Sequence, residues 1–491
     1  MIGGVTPLPM HSFPARPSLG AALLALVLAL AWILNPSFGP SPIILQTLMA
    51  ASAALLWFLL RPAIPQPAAL VLASSWLLAA VFNAGVGVAQ SLSLISESTA
   101  WFSASTGGEV YGNLRQRNQL ATLLAIGLAS TFYLLTQLEG RLRWGLAACV
   151  VLLSVVSALT SSRTGMLHWI LLCGVALLAP LWGASSVWRR WALLAAGSYA
   201  VTLALAPTMI ERVAGGASCV SRKVLWQNAL HLSAQHPWTG WGPGMLDYAH
   251  YATLYPGERF CLIVDNAHNL ILHAAVELGW PVALLLVALL LALLVFGRPW
   301  RERAPHRLLA WAVLGVILLH SMVEYPLWYG PFQLAVILAA VLLGSRREPR
   351  GGAPMPRAQR APWALALVAM LYVGWDYHRT SQVYLPSQER SVLYPSGASA
   401  SARHSVLFKG QVEFAEFTTT ALTLANAGRL ADMGERVLRY SPEPQVIEKL
   451  IAALEVVGQG ERVAWHEARF RAAFPDEYAQ WASRPQTSRA P

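Results

Sequence analysis

Apolar residues along this chain run in long blocks separated by short polar connections. Crossing a hydrocarbon core about 30 Å thick takes roughly 20 mostly apolar helical residues. Eleven blocks approach that length: 19–34, 42–60, 67–89, 118–138, 144–160, 164–183, 191–208, 268–296, 308–324, 327–344 and 361–377, the first and ninth being short. The pattern predicts an all-α polytopic membrane protein with about 11 transmembrane helices. Two stretches interrupt it. Residues 209–267 make a large loop after the seventh block, and residues 378–491 make a tail after the eleventh. The expected organisation is therefore N-terminal transmembrane helices over 1–208, the loop over 209–267, C-terminal transmembrane helices over 268–377 and a soluble helical domain over 378–491. Within the tail, Thr418 to Tyr440 and Pro444 to Val457 have helical apolar spacing with Gly and Pro breaks. They suggest a small bundle of hairpins, tetratricopeptide-like but without a clean 34-residue repeat. The Pro-rich start, Met1 to Ser18, leads into the first block without a small-residue cleavage site and is expected to stay attached.

Composition agrees. The chain is 56% hydrophobic and 12% charged, against about a quarter charged in soluble domains, which excludes a large soluble enzyme. Twenty Trp against 24 Asp plus Glu fit aromatic belts at membrane interfaces. The net charge of +11 needs sorting by side before it means anything. With a cytoplasmic N-terminus, the inner connections hold Arg16, Arg61, Arg141, Arg143, Arg189, Arg190, Arg298, Arg301, Arg303, Arg307, Arg346, Arg347, Arg350, Arg357 and Arg360. The short outer connections hold only Arg115, Arg117 and Arg163. That asymmetry sets the orientation. The tail carries 13 Lys or Arg against 12 Asp or Glu, so most of the excess is topological and does not point to nucleic acid. Outside the tail, only Arg115, Arg117, Arg163, Arg212, Arg222, Lys223 and Arg259 remain on the outer side.

Cysteine placement fits an oxidising outer compartment. Cys149 and Cys173 lie inside apolar blocks, where small buried side chains are expected. Cys219 and Cys261 both lie in the large loop and are expected to bridge.

Four polar clusters gather at outer helix ends. Gly112-Asn113-Leu114-Arg115-Gln116-Arg117-Asn118-Gln119 opens the fourth block, where amides and guanidiniums are costly unless they face a polar cavity. Snorkelling with helix capping is the competing reading. Ser161-Ser162-Arg163-Thr164-Gly165 is a tight turn whose guanidinium suits phosphate oxygens, or a simple N-capped turn. Arg222, Lys223 and Trp226 precede His236-Pro237-Trp238-Thr239-Gly240-Trp241-Gly242-Pro243-Gly244, in which Gly and Pro demand a specific loop path. The basic pair suits an anionic head group, and ordinary loop packing is the alternative. The fourth cluster is Asp265-Asn266-Ala267-His268-Asn269. His268, at the mouth of the eighth block and partly wet, suits a general base. His273 and Glu277 share a helix face as a structural contact. The same spacing recurs in His320 and Glu324, followed by Tyr325.

The chain has no Asp-x-Asp pair, His-Glu-x-x-His, Cys-x-x-Cys, P-loop or G-x-G-x-x-G. No metal and no cofactor are expected.

The His268-Asn269, nine residues, Gly279 spacing after a large loop resembles the signature of the O-antigen ligase and Wzy-type polymerase superfamily. Gly112-Asn113 with Gln116, Asn118 and Gln119 adds to this, as do Ser162 to Gly165, Arg222 with Trp226, His236-Pro237 with Gly240-Trp241-Gly242, and His320-Ser321 through Glu324 to Tyr329. Together these resemble the PglL-like bacterial protein O-oligosaccharyltransferases, the pilin-glycosylating kind, over roughly residues 110–345. The resemblance implies a GT-C-like enzyme of the bacterial inner membrane with a periplasmic active site. It would transfer a glycan from undecaprenyl pyrophosphate to a Ser or Thr hydroxyl of a periplasmic protein such as pilin. His268 would be the base, Arg163 and Arg222 would stabilise the pyrophosphate, and Asn113, Arg115, Arg117, Asn118, Gln119, Trp226, Asn269, His320, Glu324 and Tyr325 would bind substrate. An O-antigen ligase or polymerase with the same donor is the alternative. A lipid-linked glycan transporter fits less well, since no paired repeats or broken midplane helices are evident.

Overall fold

A computed structural model describes residues 18–34, 42–99, 101–105, 107–183, 186–205, 219–345, 361–394 and 398–484. Among the described residues every regular element is helical. The chain runs through α1 (Leu19–Ile33), α2 (Pro42–Leu60), α3 (Ala68–Ser91), α4 (Arg117–Gln137), α5 (Leu142–Leu159), α6 (Arg163–Leu178) and α7 (Arg189–Leu205). The loop folds into α8 (Arg222–Gln235) and α9 (Leu246–Ala252). Then come α10 (Leu270–Leu278), α11 (Trp280–Gly297), α12 (Pro305–Ser321), α13 (Gly330–Gly344) and α14 (Ala361–Ser381). The tail holds α15 (Ala398–Ala402), α16 (Lys409–Thr419), α17 (Ala427–Tyr440), α18 (Pro444–Val456), α19 (Gly460–Ala473) and α20 (Pro475–Ser483).

Six helices, α2 to α6 and α11, are long and apolar enough to cross a membrane, and α1, α12 and α13 are apolar but shorter. The protein is a multi-pass membrane protein. Residues 1–17, Arg212 and the basic run from Arg346 to Arg360 lie outside the described residues.

At the centre stands α4, buried without a break from Gln119 to Leu135 and packed against α3, α5, α6 and α12. By contrast α11 buries only Ala283, and its Leu289 and Phe296 are 59% and 82% exposed. A helix apolar all round and packed on so little protein faces lipid. Successive helices alternate in direction, so the Arg-rich connections share one end. There the Arg303 guanidinium donates to Gly183 O at 2.6 Å. The polar clusters share the other end, where the Asn113 amide donates to Ile33 O at 2.8 Å.

The eighth apolar block does not form the single span expected over 268–296. It breaks at Gly279, whose φ of 85° is open to glycine and strained for other residues. A Cβ there would lie 2.4 Å from Trp238 O. The His236–Gly244 loop crosses at this point and satisfies the last carbonyls of α10. Trp241 N–H donates to Val276 O (2.8 Å) and Gly242 N–H to Glu277 O (3.0 Å), while Trp280 N–H reaches Pro237 O (2.8 Å). Helix ends leave such groups unpaired, which explains the Gly and Pro density of this segment. Thus α10 is a separate short helix, with His273 and Glu277 paired at 3.5 Å, and α11 alone enters the apolar layer.

Cys219 and Cys261 are joined, with Cα atoms 5.6 Å apart, while Cys149 and Cys173 are free within α5 and α6. The loop docks on the tail through α9. Tyr251 enters the tail's apolar core beside Phe417, Leu450 and Phe470, and its hydroxyl meets His466 Nδ1 at 3.0 Å. Arg469 donates to Ala252 O at 2.8 Å. The helix expected from Thr418 to Tyr440 starts only at Ala427. Asn426 closes a turn before it, accepting from Thr423 N–H (2.8 Å) and donating to Ala421 O (2.9 Å), so Leu424 is left 88% exposed.

Gly279→Ala should lower the thermal midpoint of the purified protein, the strained backbone alone costing about 1–3 kcal/mol. Gly174→Ala, with open space around it, serves as control. Equal midpoints for the two variants would show that the break does not depend on glycine.

Candidate active site

Glu324 lies just past α12, where its N–H still bonds to His320 O at 2.8 Å. Its side chain is 4% exposed and is surrounded by donors from separate elements. His268 Nδ1 meets Oε2 at 2.6 Å. Asn118 Nδ2 donates to Oε1 at 3.0 Å, and the Arg222 guanidinium forms an ion pair with the same oxygen. Burial works to raise the pKa of Glu324, but the His268 hydrogen bond, the nearby Arg222 charge and the Asn118 amide together hold it below the usual carboxylate range. It is an ionised, fully partnered anion.

Local sequence fixes each partner. His268 has φ 49°, the left-handed region, a conformation that persists only where its surroundings impose it. Its N–H is held by Asn266 Oδ1 at 2.7 Å. The preceding carbonyl, Ala267 O, accepts from Trp226 Nε1 at 3.1 Å. Asn269 then caps α10, accepting from Ile271 and Leu272 N–H at 3.0 Å each and donating to Met322 O at 3.0 Å. With Nδ1 on Glu324 and the Tyr325 ring edge-on at 4.9 Å, the His268 Nε2 edge has no hydrogen-bond partner among the described residues, and the residue is partly exposed. Arg222 is the first residue of α8, capped by Ser221 Oγ. It is 39% exposed, and Glu324 takes only one end of its donor fork.

Arg163 opens α6 and is exposed. Its N-cap Ser162 accepts from Gly165 N–H at 2.9 Å while donating to Asn118 Oδ1 at 2.7 Å. Asn118 therefore links the α6 turn to Glu324. Gly165 permits this closeness, since a Cβ would come 2.8 Å from Ala121 Cβ of α4.

The remaining predicted residues separate into distinct roles. Arg115 and Arg117 are exposed at the start of α4, at the same end as the carboxylate. Gln119 is buried and bonded to the Tyr329 hydroxyl, which also bonds to Tyr325. Asn113 is 1% exposed, with its amide committed to Ser103 N–H, Ile33 O and Trp101 O, so it clamps backbone. Trp226 holds Ala267 in place. His320 is fully buried and bonds Thr122 Oγ1 at 2.8 Å. It is bonded to Thr122 of α4 whereas Glu324, beyond the end of α12 at Ser321, bonds Asn118, His268 and Arg222, so the shared spacing does not make them a pair. The pattern hid the convergence on Glu324, although a lone carboxylate at an apolar helix end in so acid-poor a chain was the available signal.

Below the site an apolar cavity of about 540 Å³ lies between α6, α11 and α12, lined by residues such as Leu172, Leu290, Leu293 and Trp311. It reaches Leu270 and Ser321 beside the polar cluster.

The helical bundle thus places an apolar cavity close to a cluster of a guanidinium, an imidazole and a buried carboxylate. The similarities to known families fall on the same segments. Residues 110–135 match the protein glycosylation ligase family, residues 147–287 the O-antigen ligase family, and residues 308–489 the C-terminal part of the virulence factor membrane-bound polymerases. The first match contains Asn118, the second Arg163, Arg222 and His268, and the third Glu324. A general O-oligosaccharyltransferase of Acinetobacter baylyi is 24% identical over 293 residues, 55% of this chain and 50% of the relative. The chain thus spans about half the length of that curated relative. Together these matches make the chain similar to the PglL-like protein glycosylation ligases and to the O-antigen ligases.

Because the folded-state pKa of Glu324 is depressed, its stabilising interactions are fully present above the unfolded carboxylate pKa of about 4.3 and are lost as pH falls through the folded value. Glu324→Gln should therefore cost about 1.5–3 kcal/mol near neutrality, the range for hydrogen bonds to charged groups. The gap in thermal midpoint should close below a pH of about 4. A gap of constant size from neutral to acid pH would show that Glu324 is not held as an ion.

Proposed function

We propose that the protein transfers a glycan from undecaprenyl pyrophosphate to a Ser or Thr hydroxyl of a protein on the periplasmic side of the bacterial inner membrane. The observation that carries this reading is the His268–Glu324 contact at 2.6 Å with the Nε2 edge open. Glu324 accepts from Nδ1–H, which fixes the tautomer and leaves Nε2 as the basic atom. Nε2 takes the acceptor hydroxyl proton as that oxygen attacks the anomeric carbon. The new glycosidic bond forms on one face while the bond from the anomeric carbon to the pyrophosphate oxygen breaks on the other. The leaving oxygen keeps the electron pair, and the anomeric centre inverts. The imidazolium is then stabilised by Glu324, as in other carboxylate-oriented histidines.

Charge builds on the leaving pyrophosphate, and preorganised cations near it lower the barrier. The end of the Arg222 donor fork that Glu324 does not take suits that role, as do the exposed guanidiniums of Arg163, Arg117 and Arg115. The apolar cavity beneath the site fits a donor presented on a lipid. A periplasmic acceptor such as pilin is what the family resemblance implies, and the similarity to a general O-oligosaccharyltransferase supports oligosaccharide transfer.

The polymerase-type match over 308–489 favours one second reading, in which a sugar hydroxyl of a growing glycan is the acceptor. The donor side of the site would be unchanged.

Reconstitution in lipid with an undecaprenyl-pyrophosphate glycan tests the reading. Wild type should glycosylate a pilin-like protein, and His268→Ala should lose about 10²–10⁴-fold in rate. Arg163→Ala and Arg222→Ala should each lose about 10²–10³-fold. Transfer only to glycan would favour the polymerase reading, and full turnover by His268→Ala would remove the base.

A further inference from the structure

The outer end of α14 gathers polar bonds that fasten two connecting turns to it. Asp376, fully buried, takes the Arg379 guanidinium on one oxygen at 2.6 Å. Its other oxygen accepts from Ser405 Oγ (3.0 Å) and from Leu407 N–H (3.1 Å). Arg379 also donates to His404 O at 2.7 Å. One turn further, Gln382 Oε1 accepts from Ser391 N–H at 2.7 Å, and the rings of His378 and Tyr394 lie 6.1 Å apart. The turns around 391–394 and 404–408 are thus held against the last two turns of one helix.

These turns present apolar side chains. Val392, Leu393 and Val406 are 91%, 73% and 73% exposed, and Leu407 is 49% exposed. Fully burying a side chain of this size stabilises by about 1.5–3 kcal/mol, and none of the four finds that burial among the described residues. Large apolar groups left exposed on turns fixed in this way mark an interaction site.

Their depth identifies what covers them. Phe58, near the end of α2, stacks on Trp363, near the start of α14, at 4.7 Å. Near the opposite ends, Gly374 lies 3.9 Å from Leu48, measured from its Cβ position. So α14 runs antiparallel along the membrane-length α2, and residues 375–382 emerge level with the first turns of α2. Tyr372 and Trp375, 40% and 47% exposed, occupy the position of an interfacial aromatic belt. The four apolar side chains hang from the residues that follow, and the exposed Lys409 stands beside them, suited to lipid phosphate.

We propose that Val392, Leu393, Val406 and Leu407 form an interfacial anchor that inserts into the outer leaflet and holds the C-terminal helices against the membrane. Those helices grip α9 through Tyr251 and Arg469, so the anchor also limits where the loop carrying Arg222 can move. A protein partner is the rival occupant.

The test uses the full-length protein in lipid nanodiscs with Cys149 and Cys173 replaced by Ala and the disulfide intact. Single Leu393→Cys, Val406→Cys or Glu461→Cys variants carry an environment-sensitive fluorophore, the last on the exposed start of α19. Labels at 393 and 406 should emit at shorter wavelength than the label at 461 and should be quenched by lipids spin-labelled near the headgroup. Emission matching the label at 461 without lipid quenching overturns the anchor. A blue shift that appears only when acceptor protein is added also overturns it and assigns the patch to a protein partner.

Discussion

A carboxylate buried at the end of an apolar helix is tolerable only if it is surrounded by donors, since an uncompensated buried charge costs several kcal/mol. Glu324 meets that condition by drawing His268, Arg222 and Asn118 to one point. Each comes from a different part of the chain, so the charge requires α4, the large loop and the end of α12 to assemble together. Much of the neighbouring architecture serves this convergence. Ser162 fixes Asn118, Trp226 and Asn266 hold His268 in its left-handed conformation, and Asn269 ties α10 to the end of α12.

Support extends outward from there. The Cys219–Cys261 bridge closes the loop, the His236–Gly244 segment caps α10, and α9 seats on the tail helices through Tyr251. The tail is thus continuous with the site's scaffold, and the same ion that organises the site also organises the fold around it. On the proposed chemistry this gives a pre-oriented base and an adjacent guanidinium before any substrate arrives, which is how electrostatic catalysis avoids reorganisation at the moment of reaction.

Apolar block length made the helices legible, because hydrophobicity over about 20 residues is a strong signal. The blocks at 42–60 and 118–138 reappear as α2 and α4. The break at Gly279 was not legible. The apolar pattern continues through it, and only the tertiary crossing of the 236–244 loop requires it. Candidate residues were legible as polar intrusions near helix ends, but their roles depended on three-dimensional partners. Asn113 and Trp226 hold backbone, His320 faces Thr122, and Glu324, placed among the substrate-binding residues by the family resemblance, is the carboxylate on which His268, Arg222 and Asn118 meet. Spacing of four residues implies a shared face only while the helix lasts, and α12 stops between His320 and Glu324.

The central claim is that His268 and Glu324 act as one unit. A double-mutant cycle on the single-turnover transfer rate, combining His268→Ala with Glu324→Gln, tests it directly. Residues that work as a unit are strongly non-additive, so the double variant should be no slower than His268→Ala alone. Losses that multiply in the double variant would mean the two act independently, and the carboxylate would not be the group that orients the base.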